Sequence, residues 1–253
     1  MKYIKDIKNK IEWEKYYDPA FSWRNSQLYR ENILSEDFIR EFKDKVDWWK
    51  VIEYQKLSED LIREFQDKEK YLSGNFWQLI STHQKLSEDF IREFQKKVNW
   101  LRISKYQSLS ENFIREFKDK INWIHISNCQ ILSEEFIKEF KDKVDWHIIS
   151  KYQTLSENFI LEFKDKIDWQ LISRYQTLSE DFIREFKKKV NWMYISQYQT
   201  LSENFILEFK EKIDWELLIN ENKKCKLSKQ FKRTWKWLAT LCHNIYKEKR
   251  TIV

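Results

Sequence analysis

Residues 155–177 read LSENFILEFKDKIDWQLISRYQT, and residues 178–200 follow with LSEDFIREFKKKVNWMYISQYQT. Near-identity over 23 consecutive positions marks a tandem repeat, which continues on both sides. The Leu-Ser start recurs at Leu34, Leu57, Leu86, Leu109, Leu132, Leu155, Leu178 and Leu201. Every step is 23 residues except 57 to 86, which carries six more around "EKYLSGN". A fixed period of 20–50 residues is the signature of stacked repeats.

Each copy parses into two short helices. In residues 155–177, Ser156 is placed to cap the first helix, because its hydroxyl can accept from N–H groups that the first turn leaves free. Glu157 then suits the positive end of the helix dipole. Leu155 and Ile160 have the spacing of a hydrophobic staple, and Phe159, Ile160, Phe163 and Ile167 form an apolar stripe at helical intervals. Glu36 with Arg40 and Glu41 with Lys45 are i,i+4 pairs in the favourable order. Asp168 caps a second helix, on which Trp169, Ile172, Tyr175 and Gln176 are expected to share the core side. Ordering one such hairpin costs more conformational entropy than burying its own apolar side chains returns. Neighbouring copies must therefore stack. The predicted fold is all-α, an α-solenoid of about eight two-helix repeats of 23 residues with modified ends.

The expected organisation is an N-terminal cap at 1–33, repeats at 34–226 and a basic amphipathic capping helix at 227–253. At the C-terminal end, LSKQFKRTW from Leu227 imitates LSEDFIREF, with Lys232 where Ile belongs, as suits a terminal repeat with a wet outer side.

The composition agrees with helices throughout. The chain has one glycine (Gly74) and one proline (Pro19) in 253 residues, with 42% hydrophobic and 35% charged residues. A single glycine excludes the Gly-rich phosphate loops of the common nucleotide sites. Three cysteines without CxxC spacing make neither a disulfide framework nor a zinc site, so they read as buried thiols of a reducing compartment. The N-terminus is charged, unlike a secretory signal, and no apolar run approaches the roughly 20 residues of a membrane span. The expected location is the cytoplasm.

The units "LSEDFIREF…VDW…IS.YQ" resemble the short repeats of uncharacterised proteins of giant DNA viruses, over residues 34–220. Lysine outnumbers arginine 36 to 11, which implies AT-rich coding of the kind those genomes have. The resemblance implies a viral protein acting in host cytoplasm. It carries no activity and no functional residues.

No catalytic constellation, metal site or cofactor is expected. The repeated Ser is a helix cap, and the repeated acidic pairs are caps and solvated charge. His83 and Cys129 stand in a slot filled by Tyr54, Tyr106, Tyr152, Tyr175 and Tyr198, and so read as packing variants. His125 and His147 sit at variable positions, with no third ligand suggested.

Variation between copies is the informative signal. Counting from each Trp of the second helix, the residues one, two and five places on differ from copy to copy. At about 100° per residue they share the side opposite the core stripe. The candidate partner-binding residues there are Trp49, Lys50, Gln78, Leu101, Arg102, Lys105, Ile124, His125, His147, Ile148, Lys151, Gln170, Arg174, Met193 and Tyr194. The functional reading is a surface for a protein or peptide partner. The plain alternative is drift of a solvent-facing side. A rival reading rests on charge. Residues 222–253 hold ten Lys/Arg against one acidic residue, a net of +9 within an overall +6, so the rest of the chain carries −3. Lys223, Lys224, Lys226, Lys229, Lys232, Arg233 and Lys236 are candidates for phosphate contacts with nucleic acid. Self-association stays open at this stage.

Overall fold

A computed structural model describes residues 29–30, 34–66 and 74–234. The N-terminal cap expected at 1–33, apart from residues 29–30, lies outside the described residues. So do most of the insertion, Lys236, Cys242, His243 and the rest of the C-terminal helix.

Among the described residues all regular structure is helical, in repeated helix pairs of the α-solenoid type. The chain divides into two compact units, Met1–Gln130 and Ile131–Val253. The first holds α1 (Glu36–Glu41), α2 (Trp48–Tyr54), α3 (Glu59–Phe65), α4 (Phe76–His83), α5 (Glu88–Glu93), α6 (Trp100–Tyr106), α7 (Glu111–Glu116) and α8 (Trp123–Cys129). The second holds α9 (Glu134–Glu139), α10 (Trp146–Tyr152), α11 (Glu157–Glu162), α12 (Trp169–Tyr175), α13 (Glu180–Glu185), α14 (Trp192–Tyr198), α15 (Glu203–Glu208) and α16 (Trp215–Asn220). Odd numbers are first helices of a pair and even numbers second helices.

The local chemistry explains both the helix ends and the near-absence of glycine. The Ser before each first helix is extended, and its hydroxyl accepts from the Phe N–H three residues on, at 3.1 to 3.2 Å. Except in α3, which ends on a helical Gln66, the first helix ends on a Phe near φ −105°, ψ 25°, whose carbonyl receives two later N–H groups, as Phe163 receives those of Lys166 and Ile167. The second helix ends on an extended Gln whose N–H still closes the last turn. Neither ending uses the left-handed conformation that usually calls for glycine at a helix C-terminus. Gly74, at φ +79°, sits in the insertion, where that conformation does occur.

Within each unit the second helices of neighbouring repeats lie side by side, with backbones closer than those of neighbouring first helices. The core is built from the repeated Phe and Ile of the first helix and the central Ile of the second, such as Phe113, Ile114 and Ile126 in the first unit and Phe205, Ile206 and Ile195 in the second. Within each unit Trp77, Trp100, Trp146, Trp169 and Trp192 each pack on two Phe rings of the next repeat. Trp169, for example, meets Phe182 and Phe186 at centroid distances of 6.3 and 5.0 Å.

Within each unit, three recurring side chains make polar contacts between neighbouring copies. The buried Gln176 accepts from the Leu155 N–H at 3.0 Å and donates to the carbonyls of Ser150 and Gln153 at 3.1 and 2.8 Å. Gln107, Gln130 and Gln199 repeat the pattern. The buried Ser173 donates to the Trp169 carbonyl at 2.6 Å and accepts the Asn191 N–H of the next copy at 2.9 Å. Finally, the Ser179 N–H donates to Glu157 of the preceding first helix at 2.5 Å.

The irregular places follow the same rules. Ile52 and Ile219 stand where the six other copies have that buried Ser, and the copy after Ile52 carries the insertion. Its helix α4 starts at Asn75 without a side-chain cap. The Gln contact is kept across the insertion, because Gln84 still accepts from Leu57 at 2.9 Å. At the N-terminal edge Tyr29 takes over the Ser position: its hydroxyl accepts from Asp47 and its carbonyl from Gln55. At the C-terminal edge Asn222 donates to the Ser196 and Gln199 carbonyls, but its shorter side chain leaves the Leu201 N–H to the Cys225 sulfur at 3.2 Å. A ninth first helix then begins. Ser228 accepts from Phe231 and donates its own N–H to Glu203, with Phe231 buried and Lys232 exposed.

Candidate interaction face

The second helices place the candidate residues as their spacing predicts. All eight residues one place after the Trp position are exposed, including Trp49, Gln78, Leu101, Ile124, His147, Gln170 and Met193. Those two places on (Lys50, Arg102, His125, Ile148 and Tyr194 among them) are partly covered, except Leu79, which is buried. Lys105 is exposed, while Lys151 and Arg174 are half-buried.

The Tyr slot overturns part of the sequence reading. Tyr175 does not share the core side with Trp169 and Ile172. Tyr106, Tyr152 and Tyr175 are 44%, 54% and 42% exposed. The same slot holds an exposed His83 and an exposed Cys129, so neither is a packing variant and Cys129 is not a buried thiol. The cause is register: six residues from the Trp brings the side chain round to the edge of the variable side, and the adjacent Gln is the residue that points inward. The signal was present in the sequence, because one slot holding Tyr, His, Cys and, at 221, Glu is not behaving like a core position.

Electrostatically the two sides of a repeat differ. On the first helices, arginines are bound up with carboxylates. Arg184 meets Asp181, Glu180 and, from the next repeat, Glu208 at 2.7, 3.7 and 2.8 Å. Arg92 is arranged likewise with Asp89, Glu88 and Glu116. On the second helices, Arg102, Lys105, Lys151 and Arg174 have no ion-paired carboxylate among the described residues and lie instead against tyrosine rings. Lys105 and Arg102 are 5.0 and 5.9 Å from the Tyr106 centroid. Hydrogen bonding from Lys105, together with both positive charges, pulls the Tyr106 phenol below its usual pKa. Burial, then Lys105 and Arg102, hold the His125 imidazole below its ordinary value. Lys50 is the exception, paired to Glu53 at 3.7 Å.

His147 lies 3.0 Å from Asp168, the cap of the next second helix. Among the described residues no three His, Cys, Asp or Glu side chains gather in a way that could hold a metal ion. No described helix is long and apolar enough to cross a membrane. Lys223, Lys224, Lys226, Lys229, Lys232 and Arg233 are all exposed. No family model, curated protein or solved structure matches the chain.

Proposed function

We propose that this chain is a non-enzymatic scaffold that holds another polypeptide along the exposed side of its second helices. The supporting observation is the contrast within each repeat. Five of the eight first helices present the same Arg–carboxylate charges, with Lys138 in one copy and exposed Leu161 and Leu207 in two, whereas the second helices change at several positions in every copy, including exposed apolar residues such as Leu101, Ile124 and Met193 and cations left without carboxylates. Tyr, Arg, Trp and Met are the residue types that interfaces favour, and stacked repeats commonly bind partners along one such side. The test is a four-site variant, Leu101→Ser, Ile124→Ser, Ile148→Ser and Met193→Ser, tagged and recovered with its cross-linked partners from the native cell. Loss of polypeptide partners with an unchanged circular dichroism spectrum is expected. Retention of every partner overturns the reading.

A second reading rests on the exposed lysines after residue 222, which suit phosphate contacts with nucleic acid. Binding of this kind weakens steeply with salt. Replacing Lys223, Lys224, Lys226 and Lys229 by Gln abolishes it if the segment is responsible, and leaves it intact if it is not.

A further inference from the structure

Within the second unit, Lys151 and Arg174 occupy equivalent positions on the neighbouring helices α10 and α12. Neither has an ion-paired carboxylate among the described residues, although Arg184 on the opposite side of a repeat has three. They are held by rings instead. Arg174 lies over Tyr175, Tyr194 and Tyr198, with its guanidinium 5.1, 5.4 and 5.2 Å from the centroids. Lys151 lies over Tyr152 and Tyr175 at 4.6 and 5.6 Å. The resulting row alternates cation and ring; Lys151 also hydrogen-bonds the Tyr152 hydroxyl and Arg174 that of Tyr194, and each cation keeps its remaining N–H groups for a further acceptor. The exposed positions one, two, five and six after the Trp on α10, α12 and α14 contain no acidic residue. Asp168, at the start of α12, is already engaged by His147 and by the first N–H groups of its own helix.

We propose that this face of the second unit binds an acidic polypeptide segment in the polyproline II conformation, with a carboxylate at about every third residue. The spacing follows from two repeat distances. Packed helices lie about 8–10 Å apart, and a polyproline II chain rises about 3.1 Å per residue with three residues per turn, so every third residue points the same way and comes level with the next cation. Met193, 45% exposed, and the partly exposed Ile148 give the intervening apolar side chains of such a segment a surface to rest on. The rings come already ordered by the cations, so they lose little further freedom on binding. A single-stranded nucleic acid suits the face less well. One face of each of Tyr152, Tyr175 and Tyr198 is already covered by a cation, and aliphatic side chains offer bases no stacking platform.

The inference rests on the scaffold reading and deepens it. Its test pans a random twelve-residue peptide library displayed on phage against the intact chain. It then measures, by fluorescence anisotropy, one synthetic peptide with Glu at every third position and Leu between, and a second of identical composition with its Glu residues clustered. Acidic binders, preference for the spaced peptide and a ten- to hundredfold loss of affinity in the double variant Lys151→Gln, Arg174→Gln are expected. Arg174→Lys, which keeps the charge and loses the planar fork, is expected to weaken binding less. Lys223→Gln with Lys224→Gln removes the same charge elsewhere and is expected to change nothing. Any of four results overturns the inference: no enriched peptide, neutral or basic binders, equal affinity for spaced and clustered peptides, or tighter and Arg174-dependent binding of a twelve-nucleotide oligo(dT). Neutral binders lost on Met193→Ser would end the acidic partner and keep the scaffold. Retention of all cellular partners by the four-site variant would end the scaffold itself.

Discussion

Replacing Gln176 by Leu removes the polar part of one inter-repeat joint and keeps approximately its volume. The side chain is 6% exposed and satisfies three main-chain groups, the Leu155 N–H and the Ser150 and Gln153 carbonyls. A buried donor or acceptor left without a partner costs about 1–3 kcal/mol. The N–H bears its full penalty, while each carbonyl keeps a second lone pair and part of its hydration. Together they give a destabilisation of about 3–5 kcal/mol, a downward shift in the urea midpoint of about 1–2 M at a slope near 3 kcal/mol/M. Trp fluorescence during urea titration measures it, with the exposed Gln170→Leu on the same helix as the control, expected within about 0.5 kcal/mol of the parent. Gln176→Glu adds a pH test. Its carboxylate accepts from Leu155 but faces two carbonyls, so the folded-state pKa rises above the usual value of about 4.3. The folded state then holds the proton more tightly than the unfolded one. The variant is therefore least impaired below about pH 4.3 and loses stability as pH climbs through the raised pKa. A Gln176→Leu midpoint within 0.3 M of the parent would refute the reasoning, as would a Gln176→Glu penalty that does not change with pH.

Ser173→Ala deprives the Asn191 N–H of its buried acceptor and is expected to cost about 1–3 kcal/mol in the same titration. With Cys242 replaced by Ser, a disulfide reagent is expected to label the exposed Cys129 at once. Cys225 is expected to react only on unfolding, since burial pushes its thiol pKa up; a two-thiol burst would contradict this. His125 binds its proton less readily in the folded chain than unfolded, so it contributes a loss of stability as pH falls below about 6.5. His125→Gln is expected to flatten the melting temperature between pH 7.5 and 5.5, and an unchanged slope would count against that role.

What the sequence disclosed divides along the range of the interactions. Helix caps and stripes depend on residues three or four apart, so Ser156, Asp168, Phe159 and Ile160 were readable directly, and the buried core follows them. The inter-repeat contacts join residues 18 to 26 apart, and a repeating string shows that Gln and Ser recur without showing what they touch. Gln176 was legible as a core-side residue but not as the partner of Leu155, Ser150 and Gln153. Tyr175 was misplaced because a stripe drawn by spacing alone admits a residue at its edge. The Tyr175 ring lies against Lys151 and Arg174 on the variable side, while Gln176 turns inward. The variable side was read as solvent-facing; the residues one place after the Trp are exposed there, whereas those two places on are partly covered and Leu79 is buried, because neighbouring helices reach that edge.

The directional character of the glutamine joint bears on how such a chain lengthens. Each copy supplies the side chain that completes the copy before it, and Tyr29 and Asn222 with Cys225 stand in where a neighbour is lacking. A 23-residue cassette duplicated anywhere in the interior brings along every group that its two new junctions require, so tandem gain or loss by unequal exchange costs no bonds. A cassette inserted beside Tyr29 or Asn222 meets a substitute side chain instead of a match.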